Sequence, residues 1–212
     1  MVWSVWAIVV AAGGGSRFGG AKQFLRLGGT TLVDRAVGAA LESCDGVVVV
    51  LPEGSTWTPP SGVTAVVGGA TRSESVRAGL ALVPEDATVV CVHDAARPLA
   101  SRALFASVVR AVQEGADAAV PALPVVDTVK RVEGHRVVET VPRDDLYVVQ
   151  TPQAFDAAML RSAHAGGAEG TDDAALIEAL GGKVVVVEGE ARNVKLTVAA
   201  DAEILDALLG DR

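Results

Sequence analysis

The chain alternates between short apolar, β-branched runs and longer segments with helical spacing. Trp6–Ala11, Val47–Leu51, Val63–Val67, Thr88–Val92 and Asp117–Pro121 each read as a strand. Between them, Thr30–Ser43 places Leu32, Ala36, Ala40 and Leu41 on one face of a helix. Arg72–Leu82 turns Val76 and Leu80 inward, with Val83 just beyond, and Ser101–Glu114 starts on a serine suited to capping. Strands buried on both faces read as continuous apolar runs, so this alternation predicts an α/β fold: a Rossmann-like, mainly parallel sheet with helices on both faces. Later segments continue the theme, with strands at Tyr147–Gln150 and Lys183–Val187 and a short extended stretch at Asn193–Leu196. Helices are expected at Asp156–His164, Asp172–Leu180 and Ala199–Leu209.

One region breaks the pattern. Residues Val125–Val132 and Arg136–Val141 alternate around Glu133-Gly134-His135, the signature of a hairpin. It is either an inserted β-arm, at about 124–142, that protrudes towards a second subunit, or an antiparallel edge of the main sheet. No repeat is visible, and residues 1–212 read as one domain.

Composition narrows the function classes. The chain has 212 residues, half of them hydrophobic, and 18 basic against 26 acidic residues give a net charge of −8. That balance argues against nucleic acid or an anionic membrane as the main partner, while leaving room for a local basic pocket. Cys44 and Cys91 are too few for a disulfide framework or a four-cysteine zinc site, and Cys91 sits in an apolar run as a small hydrophobe. The apolar start, Met1–Ala12, lacks a basic n-region and a cleavage site, so it reads as a first strand rather than a signal peptide. No 18-residue apolar stretch exists, so a cytoplasmic protein without a membrane span is expected.

The candidate chemistry lies where strands end, because open α/β sheets bind ligands beyond the carboxyl ends of their strands. After the first strand comes Ala11-Ala12-Gly13-Gly14-Gly15-Ser16-Arg17-Phe18. Neither standard glycine motif fits: Phe18 stands where a dinucleotide fingerprint needs glycine, and Ala21 where a Walker loop needs lysine. What remains is a glycine loop with its own cations, Arg17 and Lys22, which suits a polyphosphate better than a plain turn. His93-Asp94-Ala95-Ala96-Arg97-Pro98 follows another strand. Asp94 is placed to hold Mg²⁺, which prefers one or two carboxylates plus phosphate oxygens, or to cap a turn; His93 reads as a structural residue. Gly68-Gly69-Ala70-Thr71-Arg72-Ser73-Glu74-Ser75 fits two roles, a helix cap from Thr71 or Ser73, or a base or ribose contact from the Gly69 backbone and Ser75. Arg143 and Lys195 are either surface cations or a clamp for a phosphate monoester.

Taken in order, these motifs resemble the 2-C-methyl-D-erythritol 4-phosphate cytidylyltransferase family of the non-mevalonate isoprenoid pathway. The likeness spans nearly the whole chain. It rests on Ala11-Ala12-Gly13-x-Gly15-x-Arg17, Lys22-Gln23-Phe24, Gly68-Gly69 with Arg72 and Ser75, His93–Pro98, Asp127-Thr128-x-Lys130, Val141 to Arg143, Gln150-Thr151-Pro152-Gln153-x-Phe155, Thr171-Asp172 and Asn193-x-Lys195-x-Thr197. The resemblance implies transfer of CMP from CTP to the methylerythritol phosphate, with pyrophosphate released. It implies that Ala11, Ala12, Gly13, Gly14, Gly15, Gly69, Ser75, Asp94 and Ala95 bind CTP, and that Asp94 holds Mg²⁺. Arg17, Lys22 and Lys195 become the catalytic cations. Arg97, Thr128, Arg143, Thr171 and Lys195 become the residues for the sugar-alcohol phosphate. It further implies a homodimer joined through the arm, with each site shared. Family members often carry aspartate where Ala70 stands, which removes one expected ribose contact, and the end at Arg212 leaves no room for the cyclodiphosphate synthase domain fused to some members. Rival readings are a cytidylyltransferase for another polyol phosphate such as ribitol 5-phosphate, which the Ala95-Ala96 pair disfavours, a non-catalytic nucleotide-sensing subunit, and a nicotinamide-dependent reductase, disfavoured by the break at Phe18.

Overall fold

A computed structural model describes residues 3–14, 18 and 20–210. In chain order the strands and helices are β1 (Val5–Val10), β2 (Arg26–Leu27), β3 (Thr30–Thr31), α1 (Leu32–Leu41), β4 (Gly46–Leu51), β5 (Val63–Val67), α2 (Arg72–Leu80) and β6 (Val89–Asp94). Then come α3 (Arg102–Gln113), β7 (Ala118–Pro124), β8 (Val129–Glu133), β9 (Arg136–Val141), β10 (Tyr147–Val149) and β11 (Gln153–Asp156). The chain continues through α4 (Ala157–Ala165), α5 (Asp173–Ala179), β12 (Val184–Glu188) and α6 (Ala200–Gly210).

The main sheet runs β10-β7-β11-β6-β1-β4-β5, with β12 also paired to β7. β1 is parallel to both β4 and β6, β4 to β5, and β7 to β12. Period-two alternation divides the core. Ala7 and Val9 of β1 join the cluster under α1 and α3, with Val33, Ala36, Leu104 and Phe105. Ile8 faces the opposite layer, with Val76, Phe155, Leu160 and Ile177 from α2, β11, α4 and α5. The mainly parallel sheet with helices on both faces is as the sequence predicts. A third cluster, built on Leu27, Leu32, Leu99, Leu196 and Leu205, anchors α6 and the segment before it.

Several expectations need correction. β11 is a strand, antiparallel between β6 and β7, where the sequence suggested only a connection into the next helix. Its four residues are too few for a periodic signal, and only its two neighbours make it a strand. The small β2–β3 ladder lay inside or before the expected helix, which starts at Leu32 with Thr31 as its cap. Residues 193–196 form no strand; side-chain hydrogen bonds hold them instead. Of the two readings for 124–142, the protruding hairpin is observed: β8 and β9 pair only with each other among the described residues, with a bulge at Arg131/Val132.

Packing between α2 and the sheet depends on Gly79. A Cβ there would stand 2.6 Å from Ile8 Cγ2 and 3.0 Å from Val50 Cγ2. Gly→Ala within a helix ordinarily gains about 0.5–1 kcal/mol. Here we expect the opposite sign: Gly79→Ala should cost about 1–3 kcal/mol through overpacking, seen as a lower urea midpoint with an unchanged slope.

Candidate active site

β1 and β6 are adjacent and in register, Val10 opposite Asp94, so the loop after β1 and the end of β6 open at the same edge of the sheet. The start of α2 closes a third side. Together they surround a cavity of about 350 Å³, within the size range of small-ligand sites. Ala11, Ala12, Gly13 and Gly14 form one wall; Gly69, Arg72 and Ser75 form another. Asp94 and Ala95 lie at the base, and Lys22 and Lys195 reach in from the segments that flank the third apolar cluster.

Glycines here serve different ends. At Gly68 a Cβ would meet Ala12 Cβ at 2.4 Å and Ser75 Oγ at 2.7 Å, so glycine lets the turn into α2 close onto the β1 loop. At Gly69 it would meet Glu74 Cβ at 2.3 Å. Gly13 and Gly14 are another matter: among the described residues, a Cβ at either would meet nothing within 4 Å. No described neighbour demands glycine at these two positions, and both line the cavity. The cap at α2 is Thr71, which accepts from the Glu74 amide while Glu74 accepts from the Thr71 amide, a complete capping box. Ser75 is buried and donates its hydroxyl to the Thr71 carbonyl at 3.0 Å, leaving its oxygen as an acceptor towards the cavity.

Asp94 is the electrostatic centre. Its Oδ2 accepts from Lys195 Nζ at 2.6 Å, and its Oδ1 lies 3.6 Å from Arg72 Nε. Burial works to raise its pKa, but Lys195 and Arg72 overcome that and hold the carboxyl down at about 2. Lys22 Nζ donates to the Leu196 carbonyl at 2.5 Å, which ties the glycine-loop side to the segment that carries Lys195. That segment is fixed from behind. Asn193, fully buried, donates to the Thr151 carbonyl at 2.9 Å and to Gln150 Oε1 at 3.2 Å, and the Leu196 amide donates to the Ala96 carbonyl.

His93 is structural, as its sequence context suggests. A carbonyl can only accept, so Nε2 carries the proton it donates to Arg97 O at 3.1 Å; bare Nδ1 then accepts the Thr151 hydroxyl at 3.0 Å, and Thr151 Oγ1 accepts the Asp94 amide at 3.0 Å. Burial depresses the imidazole to about 4, against the pull of Asp94.

Of the residues singled out from sequence, Lys22, Asp94 and Lys195 converge with Ala11, Ala12, Gly13, Gly14, Gly69, Ser75 and Ala95 on this cavity. Gly15 and Arg17 lie outside the described residues. Arg97, Thr128, Arg143 and Thr171 do not line it within one chain. Arg97 donates to the carbonyls of Asn193 at 2.7 Å and Val149 at 3.1 Å, so here it braces the Lys195 segment. Arg143 donates to Val126 O at the base of the arm, and Thr128 and Thr171 are exposed. Sequence reasoning missed the role of Arg72, named only as part of a motif, and missed its buried partner Asp173, which accepts from Arg72 Nη1 at 2.7 Å. Nothing in the local sequence marks that pair, whose members lie 101 positions apart.

A parallel α/β sheet with a glycine loop, two lysines and a carboxylate converging at its strand ends defines an enzyme of the nucleotidyltransferase class. The family model for IspD, 2-C-methyl-D-erythritol 4-phosphate cytidylyltransferase, matches residues 5–211, and the chain belongs to this family. It is 47% identical to the 2-C-methyl-D-erythritol 4-phosphate cytidylyltransferase of Rhodococcus jostii, over 97% of this chain and 95% of that one. A Thermus thermophilus crystal structure of the same description superposes with a TM-score of 0.84 at 41% identity, covering 96% of this chain and 98% of that one. The bifunctional IspD/IspF enzyme of Solidesulfovibrio magneticus is 42% identical over 93% of this chain, which spans 55% of that longer protein. The activity of the family is CTP-dependent cytidylyl transfer to 2-C-methyl-D-erythritol 4-phosphate in isoprenoid biosynthesis.

The His93 geometry carries a pH prediction. Its folded pKa of about 4 lies below the ordinary 6.5, so the unfolded chain binds more protons between these values and stability falls as pH falls through that window. One such proton corresponds to at most about 1.4 kcal/mol per pH unit. His93→Gln should flatten the slope of unfolding free energy against pH between 4 and 6.5; an unchanged slope would show that His93 titrates alike in both states.

Proposed function

We propose that residues 1–212 act as one catalytic unit in which this cavity binds CTP and brings its α-phosphorus against a phosphate oxygen of 2-C-methyl-D-erythritol 4-phosphate. The observation that carries this reading is the convergence of Lys22, Lys195 and Asp94 on one cavity beside glycines that no described neighbour requires. The backbone of Ala11–Gly14, continuing into Gly15, cradles the triphosphate. Gly69, Ser75 and Ala95 meet the nucleoside, with Ser75 Oγ available as an acceptor.

The acceptor substrate needs little help to become a nucleophile. A phosphate monoester loses its second proton near pH 6, so a strong general base is unnecessary, and the depressed His93 is not required to act as one. The obstacle is repulsion between two anions and the charge that grows on the oxygens around the α-phosphorus. Catalysis is therefore positioning and electrostatics. Lys22 and Arg17 neutralise the α-phosphate as the bond to pyrophosphate breaks. Lys195, held beside Asp94, lies where both substrates meet.

Magnesium fits this donor set. Among the described residues no three His, Cys, Asp or Glu side chains gather as a metal site, yet Asp94 presents one ionised carboxylate to the cavity, which suits an ion that takes most of its ligands from phosphate and water. Bound there, it would supply Lewis-acid charge neutralisation of the triphosphate.

The arm supports a homodimer with shared sites. Along the arm Val126 is 75% exposed, Val132 51% and Val137 55%; exposed apolar side chains on a hairpin suit an interaction face. A partner subunit covers it, and Thr128 and Arg143 reach the partner's cavity to bind the sugar-alcohol phosphate, with Arg97 and Thr171 contributing at the same subsite. Excess negative charge argues against nucleic acid as a partner. Among the described residues no helix is long and apolar enough to cross a membrane, in keeping with work in the cytoplasm.

Lys22→Ala should lower kcat by about 10²–10³, the scale of one lost transition-state contact. Turnover left intact would remove Lys22 from this role. Arg143→Ala should raise KM for the sugar-alcohol phosphate and leave KM for CTP within about twofold, because it removes binding of one substrate only. A change confined to CTP would overturn the assignment.

A further inference from the structure

Arg72 stands at the first position of α2, where a cation meets the positive end of the helix dipole. It lines the cavity, yet its guanidinium faces away from solvent on two sides. Nε points to Asp94 Oδ1 at the end of β6, and Nη1 donates to Asp173 Oδ2 at the start of α5. Asp173 is itself fully buried, and its other oxygen, Oδ1, lies 3.0 Å from Nε2 of buried His164. One planar group thus joins a carboxylate inside the cavity to one that no ligand can reach.

Such an arrangement is a poor device for stability. Desolvating a carboxylate and a guanidinium is costly, and a well-packed apolar filling often serves as well or better. Its effect on geometry is specific. Asp94 has two oxygens and two cationic partners: Lys195 takes Oδ2 and Arg72 faces Oδ1. Lys195 is 39% exposed and its stem is flexible, whereas Arg72 is anchored by Asp173. The fixed partner therefore sets the orientation of the carboxylate, and the flexible one can move when substrates arrive.

We propose that Asp173 is a positioning residue that acts through Arg72 to orient Asp94 for nucleotide binding. It rests on the reading of Asp94 as a carboxylate of the CTP site. Asp173 touches neither substrate; removing its charge frees Arg72 to swing towards the cavity or to collapse fully onto Asp94, and either motion misplaces the carboxylate.

The test is a set of mutant cycles read by calorimetric binding of a non-reactive CTP analogue with an α,β-methylene bridge, in excess Mg²⁺, with steady-state kinetics alongside. Asp173→Asn should weaken analogue binding about tenfold and raise KM for CTP in step, with KM for the sugar-alcohol phosphate unchanged. In an Asp94→Asn background the same substitution should change binding less than about twofold, because residues that act as one unit are not additive. Arg72→Met should behave as Asp173→Asn does, and serves as the second variant should Asp173→Asn not fold. Arg77→Ala, a change on α2 that breaks a surface pair with Glu169 in the loop before α5, is the control and should leave binding unchanged. Equal losses in both backgrounds, or a fall in melting temperature with intact analogue binding, would overturn the proposal while leaving the CTP site in place. If Asp94→Asn alone leaves binding intact, the assignment of Asp94 fails and this proposal fails with it.

Discussion

One largely buried carboxylate, Asp94, held between two cations, organises the cavity. Asp94 sits at the end of a central strand, where burial alone would favour its neutral form. Lys195 and Arg72 reverse that preference, and each arrives from a different part of the chain. The pairing of β6 with β1 sets the carboxylate beside the glycine loop. The turn into α2 supplies Arg72, and the buried Asn193 together with the half-buried Arg97 holds the segment that presents Lys195.

On the proposed reading, that pattern lets an acidic protein receive two acidic substrates. The chain carries a net charge of −8, which by itself would repel them. The cavity inverts the sign locally: Lys22, Arg72 and Lys195 line it against one carboxylate, Asp94. Close range and low dielectric let a few fixed charges outweigh a distant surplus screened by solvent and salt. The reaction class asks for little more, since phosphoryl transfer depends on alignment and charge compensation rather than on proton abstraction.

Much of the fold was legible in the chain. Valine runs such as Val47–Leu51 and Thr88–Val92 announce strands buried on both faces, and the helices between them show their apolar spacing. The glycine loop and Asp94 could be assigned to one crevice because strand ends in such sheets gather there. The errors fall where local pattern is weak. Gln153–Asp156 is short and becomes a strand only because β6 and β7 offer it hydrogen bonds on both sides. Nor does any local pattern show that the Arg97 guanidinium donates to the backbone carbonyls of Asn193 and Val149.

The sequence by itself determined most element types, the mainly parallel character of the sheet, and which residue kinds stand at the strand ends, because hydrophobic period and turn chemistry act over a few residues. Tertiary structure alone decided the partners. Arg72 with Asp173 and Asp94 with Lys195 each span 101 positions, and their meeting depends on strand order and helix docking. Charge pairs of that reach leave no periodic trace in the chain, so only the folded arrangement shows that a second, buried carboxylate anchors Arg72.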